Sequence, residues 1–270
     1  MILNSHSQWL PFSFLLLILV LTLSSKVHQS PTTDEGGHLR FGRAVLLAPQ
    51  LVTDAQRMPV TALNAIPDLL LERFVPKASS RIRLFAARSV TAVLSCALAW
   101  LVFLWSKQLW GWRGGLFSLA LYTFEPNLLA HARWVTNDMA LSLFMLATVG
   151  SYLRYLKDPT KRNLVFCAVF AGCARIAKHS ALVLVPVLAV LTVIHLWVQL
   201  PSDDRWRFIR AHVGFGIRHV AAFGFTVVLV INVGYLCKGT FHRVNLLDSF
   251  IEHPKVADNS FLRRAAWSTR

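Results

Sequence analysis

Five stretches of this 270-residue chain, 9–24, 89–106, 139–153, 180–202 and 220–237, carry no Asp, Glu, Lys or Arg. A helix needs about 20 mostly apolar residues to cross a hydrocarbon core. In lipid the backbone must satisfy its own hydrogen bonds, which an unbroken apolar run of this length does as a helix. With their flanks, all five windows approach spanning length. Two shorter windows, 114–124 and 163–174, reach it once Glu125 or Arg175 is taken in. The expected fold class is therefore all-α, a polytopic membrane protein with about seven transmembrane helices. Only 15% of the residues are charged, against about 25% in soluble domains.

The charges that remain are unevenly placed. A net charge of +15 in a soluble chain would point to nucleic acid. Between apolar spans, basic residues instead mark cytoplasmic loops and lipid headgroups, so membrane lipids and no nucleic acid are the expected contacts. The short loops after the second, fourth and sixth spans hold Lys107 and Arg113, then Arg154, Lys157, Lys161 and Arg162, then Arg205, Arg207 and Arg210. The short loops on the other side hold only Arg133 and Lys178. Positive-inside counting puts the amino terminus in the cytoplasm and the segment after the first span outside. The first span is expected to be retained, because neither a basic n-region nor a small-residue cleavage site marks it as a signal peptide. The expected organisation is a membrane module over 1–237, with an external segment over 25–83 and an external tail over 238–270. Within 25–83, the apolar patches 41–52 and 59–74, punctuated by Pro49, Pro59 and Pro67, predict one or two interfacial helices between Arg40 and Glu72. Cys96, Cys167, Cys173 and Cys237 lie in or at the ends of spans and form neither a disulfide framework nor a zinc signature. No metal site and no resident cofactor are expected.

Three clusters of ionisable residues fall at the outer rim. The first is "PTTDEGGHL", residues 31–39, with Asp34 and Glu35 side by side. It reads as a turn after the first span, at a mouth where partial burial raises a carboxyl pKa and makes a general base. The second is "LLAHARWVTNDMALSLF", residues 128–144. Thr136 or Asn137 suits an N-cap, and Asp138 falls in the first turn of the fourth span, where the helix end favours its ionised form. His131 and Arg133 face the same edge, and the planar fork of Arg133 suits a carboxylate or phosphate. The third is "ARIAKHSALVLVP", in which Arg175, Lys178 and His179 are spaced to share one helix face. That face reads either as snorkelling cations or as a seat for a lipid phosphate.

With these residues in place, the chain resembles the membrane glycosyltransferases of the GT-C class. The likeness is to the dolichyl-phosphate-mannose protein mannosyltransferase family (glycosyltransferase family 39) and its relatives that glycosylate lipid A or transfer arabinose. "TDEGGHL" looks like the acidic first-loop motif, "PNLLAHARWVTNDMALSLF" like the segment in which an Arg stands five residues before an Asp, and "ARIAKHSALVLVPVL" like the Lys-containing segment that follows. The resemblance implies an inverting transfer from a polyprenyl-phosphate sugar to a protein or lipid acceptor, through a hydroxyl or amine. It implies Asp34 as the general base, Glu35 shaping its surroundings, Arg133 and Asp138 organising the site, and Lys178 near the lipid phosphate. The setting it suggests is a bacterial or archaeal cell membrane rather than the endoplasmic reticulum. Relatives continue through further spans, so the tail after residue 238 is expected to be truncated. The alternative is a non-catalytic relative that keeps the fold as a lipid-handling or partner subunit. A transporter would place ionisable groups near the midplane, whereas these gather at one rim.

Overall fold

In the computed structural model, which describes residues 9–24, 30–47, 58–199 and 205–237, the described part of every apolar window is helical, apart from a turn at 235–237. The first forms α1 (Leu10–Ser24). The external segment supplies α2 (Thr33–Leu47), a single 3-10 turn at Pro59–Thr61 and α3 (Ala62–Phe74). The second and third windows lie in α4 (Ser80–Phe124), followed by the short α5 (Pro126–His131). The rest form α6 (Asp138–Lys157), α7 (Lys161–Ala177), a 3-10 turn at His179–Val183, α8 (Leu184–Gln199) and α9 (Arg205–Gly234). No strand occurs among the described residues. The protein is an all-α membrane protein. Ser80–Phe124, Asp138–Lys157 and His179–Val198 are long and apolar enough to cross a bilayer, while Leu10–Ser24 and Arg218–Gly234 are apolar but shorter.

Although α4 runs continuously for 45 residues, it is two helices joined at Trp110 and Gly111. Gly111 has φ +72° and ψ −172°, a conformation that a Cβ would strain. The chain reverses there. The Tyr122 hydroxyl donates to the Ser95 carbonyl at 3.0 Å, and Trp112 meets the Phe103 ring edge-on with centroids 5.5 Å apart. The loop expected over 107–113 thus shrinks to a two-residue kink, because two long apolar faces pack from the first turn onward. Phe103, Leu119 and Tyr122 join Ile18, Leu98, Ala99, Ala132 and Met139 in the main core.

The two ends of the bundle differ in chemistry. At one, Trp9, Phe12, Trp100 and Phe103 form a chain of neighbouring rings, and the Lys107 ammonium lies 5.0 Å from the centroid of Trp112. An exposed Trp9 and the Lys107 ammonium over Trp112 suit the interfacial level of a membrane protein. The other end collects the starts of α2 and α6 and the end of α7. It is covered by Met58 and Val60, which are buried against Ala140 and Ala177.

Two local expectations are corrected, and one proline is accommodated within a helix. Residues 33–39 do not form a turn, since α2 already begins at Thr33. Burial of Glu35, Gly37, Phe41 and Gly42 against the bundle outweighs the turn preference of two glycines. Pro67 lies inside α3 without ending it, because Asn64, Ala65 and Asp68 are buried around it and the helix forgoes only one ladder bond. Helix α7 stops at Ala177, and Lys178 is extended at φ −160° and ψ 146°. Arg175, Lys178 and His179 therefore do not share a helix face. The expected patch over 41–52 lies partly, and the tail over 238–270 wholly, outside the described residues.

Candidate functional site

The adjacent carboxylates of α2 have opposite fates. Glu35 is fully buried, with no exposed surface. Arg88 of α4, itself 2% exposed, grips it with a two-pronged contact, Nε to Oε1 at 2.8 Å and Nη2 to Oε2 at 2.6 Å. The backbone N–H groups of Thr32 and Val135 donate to the same carboxylate at 3.0 Å each. Burial pushes the Glu35 carboxyl up, but the Arg88 guanidinium and the two N–H donors overcome it and hold the group below its ordinary range. Arg88 also donates to the Ser30 carbonyl at 3.2 Å, and its guanidinium lies 4.8 Å from the Trp134 ring centroid. One ion pair thus ties α2, α4 and the loop before α6 together.

Asp34 is exposed. At 100° per residue it stands on the same face of α2 as Phe41 and Val45, both of which are buried. It therefore points toward the inner side of the helix and still meets water, at the first turn. Asp34 and Asp138 each lie in the first turn of a helix. The distinction drawn between them from sequence does not follow from helix position.

The second cluster assembles around Asp138 at the start of α6. Lys178 donates through Nζ to Oδ1 at 2.7 Å, and His131 Nδ1 lies 3.4 Å from Oδ2. Lys178 reaches Asp138 because α7 has ended and the extended residue projects across to the neighbouring helix. Asn137 is the N-cap residue of α6, but its side chain makes no capping bond.

Both clusters belong to one loop, residues 131–138, which Glu35 holds at its middle through Val135 and which ends on Asp138. Within it, Arg133 Nε, Thr136 Oγ1 and Asn137 Oδ1 are buried without a hydrogen-bond partner. A buried polar group without a partner costs about 1–3 kcal/mol, and three within five residues leave this connection with unmet hydrogen-bonding capacity.

Arg175 stands apart from both clusters. It lines a cavity of about 1180 Å³ between α6, α7, α8 and α9, whose other walls include Leu164, Val185, Leu188, Phe223 and Ile231. Its Nη1 is buried without a partner. Asp34, Glu35, Arg133, Asp138 and Lys178 do not line this cavity. Among the described residues, no three His, Cys, Asp or Glu side chains gather as a metal site.

The group that sequence reasoning passes over is Arg88. It stands one residue before the uncharged window 89–106, where it reads as a flank. The available signal was that an arginine at the edge of a span needs a partner if it turns inward, but spacing alone does not say which carboxylate supplies it.

A family model described as dolichyl-phosphate-mannose-protein mannosyltransferase matches residues 74–217, more than half of the chain. The match takes in Arg88, the loop 131–138, Arg175 and Lys178, and it begins after Asp34 and Glu35. No curated protein matches the chain.

Proposed function

Because the chain belongs to the dolichyl-phosphate-mannose-protein mannosyltransferase family, and so to the membrane glycosyltransferases of the GT-C type, we propose that it transfers a sugar from a polyprenyl-phosphate donor to an acceptor hydroxyl or amine at the outer membrane face. The observation that carries this reading is the loop 131–138, pinned by Glu35 behind Asp34, with Arg133, Thr136 and Asn137 offering unmatched polar atoms. A sugar phosphate supplies the acceptors for Arg133 and the hydroxyls for Thr136 and Asn137.

In the proposed reaction the acceptor oxygen or nitrogen attacks the anomeric carbon from the face opposite the phosphate. The new glycosidic bond forms as the bond to the phosphate oxygen breaks, with inversion. Asp34 takes the acceptor proton, and the polyprenyl phosphate leaves with the bonding electrons. Glu35 and Arg88 are positioning residues, fixing the first turn of α2 against the loop. Lys178, held by Asp138, balances negative charge on the departing phosphate. The largely apolar cavity that Arg175 helps to line supports a donor carrying a long hydrocarbon chain.

Membranes containing the chain, incubated with radiolabelled polyprenyl-phosphate mannose, should yield a labelled protein or lipid product. Membranes without the chain should not. Label arriving from a nucleotide sugar while polyprenyl-phosphate sugar synthesis is blocked would refute the proposed donor. Donor binding without any product, across a panel of polyprenyl-phosphate sugars, would identify a lipid-handling relative instead.

A further inference from the structure

Helix α2 has a second polar face, turned about 180° from Asp34. Gly36, Leu39, Arg40 and Arg43 recur at helical spacing. With Asp68 of α3 and Ser80 and Arg83 of α4, they enclose a separate cavity of about 360 Å³. Two carboxylates organise its cations. Arg83 donates through Nε to Asp68 at 2.7 Å and through Nη2 to Glu72 at 3.0 Å, and Arg43 pairs with the same two carboxylates. Each guanidinium has five N–H donors in a rigid fork, so each keeps several for another acceptor. Both Asp68 oxygens are occupied, and its side chain is only 3% exposed. Arg40 adds a third guanidinium, exposed and without an ion pair among the described residues. Arg73, Lys77 and Arg81, near the end of α3 and the start of α4, are exposed as well.

The opposite side of α3 is apolar and unburied. Leu63, Ile66, Leu70 and Phe74 run along it in one stripe, exposed by 40, 42, 52 and 76%. A cationic cleft and a bare apolar stripe on two sides of one short helix fit the boundary between headgroups and acyl chains.

We propose that this cleft seats the phosphodiester of an anionic membrane phospholipid, whose chains lie in the bilayer beside the α3 stripe. The site is distinct from the proposed transfer site, because Asp34, Arg133, Asp138 and Lys178 do not line this cleft. A zwitterionic headgroup fits less well. Its ammonium would need a free carboxylate or an aromatic face, whereas Asp68 and Glu72 are already paired and no aromatic ring lines the cavity.

Native mass spectrometry of the full chain, purified in detergent and stripped of lipid, tests this with three probes. These are phosphatidylglycerol, phosphatidylcholine with the same acyl chains, and inorganic phosphate. The wild type should retain phosphatidylglycerol about tenfold better than phosphatidylcholine, and inorganic phosphate at the same concentration should not displace it. Arg40→Gln, at an exposed position, should weaken retention about fivefold. The pair Arg43→Gln with Asp68→Asn removes a cation and its counter-ion together, and should weaken retention at least as much. If that pair does not fold, Arg40→Gln decides alone. Equal retention of the two lipids, or unchanged phosphatidylglycerol retention in every folded variant, would overturn the proposal. So would displacement by inorganic phosphate, which would mark a site for a free anion.

Discussion

Arg88 keeps its charge beside an apolar helix face because Glu35 and the Trp134 ring replace the water it leaves. Removing one member of such a pair leaves the other charge buried and unmatched, at a cost of about 3–5 kcal/mol. Arg88→Met is therefore expected to lower stability by that amount in detergent unfolding, and Arg88→Met combined with Glu35→Gln to recover most of it. The pH dependence has a defined sign. Glu35 is held below its ordinary range by Arg88 and two N–H donors that outweigh burial, so the unfolded chain binds its proton more readily than the folded one. Its contribution is complete above the unfolded value of about 4.3 and is lost as pH falls from there through the depressed folded value. Asp68 is depressed likewise, by Arg83 and Arg43 against the upward push of burial. Stability should be flat from about pH 7 to 5 and fall below about 4.3, with a shallower fall in Glu35→Gln. At this scale the adjacent Asp34 and Glu35 stood out in the sequence. Which of the two is buried was not legible there, because one residue step along a helix turns a side chain by 100° and only the packing decides which way it faces.

Among elements, α2 is the one whose placement the site depends on. A Cβ on Gly42 would lie 2.3 Å from the Thr61 carbonyl oxygen, a backbone atom that cannot move cheaply. Gly42→Ala should push α2 off the Pro59–Thr61 turn at a cost of about 1–3 kcal/mol. Hydrogen exchange should then show faster α2 amides while α6 keeps its protection, and transfer activity should fall with the α2 contacts. The apolar spans could be read in advance because their signal is composition over many residues. The start of α2 and the end of α7 could not. At Gly36–Gly37 and at Lys178, local preference and helical spacing point one way, whereas the packing of Glu35 and the pull of Asp138 on Lys178 point the other.

For the whole molecule, the uneven chemistry of the two ends makes a topological prediction. With Lys107, Arg154 and Lys157 on the cytoplasmic side and Asp138 outside, Asp158→Cys should react with membrane-impermeant thiol reagents only after the membrane is opened. Glu125→Cys should react in sealed, right-side-out vesicles. The reverse pattern would turn the proposed donor site to the wrong side. The central claim is that Asp34, exposed beside a loop that Glu35 and Arg88 hold in place, accepts the acceptor's proton. It is tested most directly by measuring transfer from radiolabelled polyprenyl-phosphate sugar in membranes carrying wild type, Asp34→Asn or Asp138→Asn at matched expression. The account predicts that Asp34→Asn loses about 10²–10⁴-fold in turnover with donor binding intact. Asp138→Asn, which releases Lys178 and His131, should lose less and mainly in donor use. Full turnover in Asp34→Asn would contradict the account.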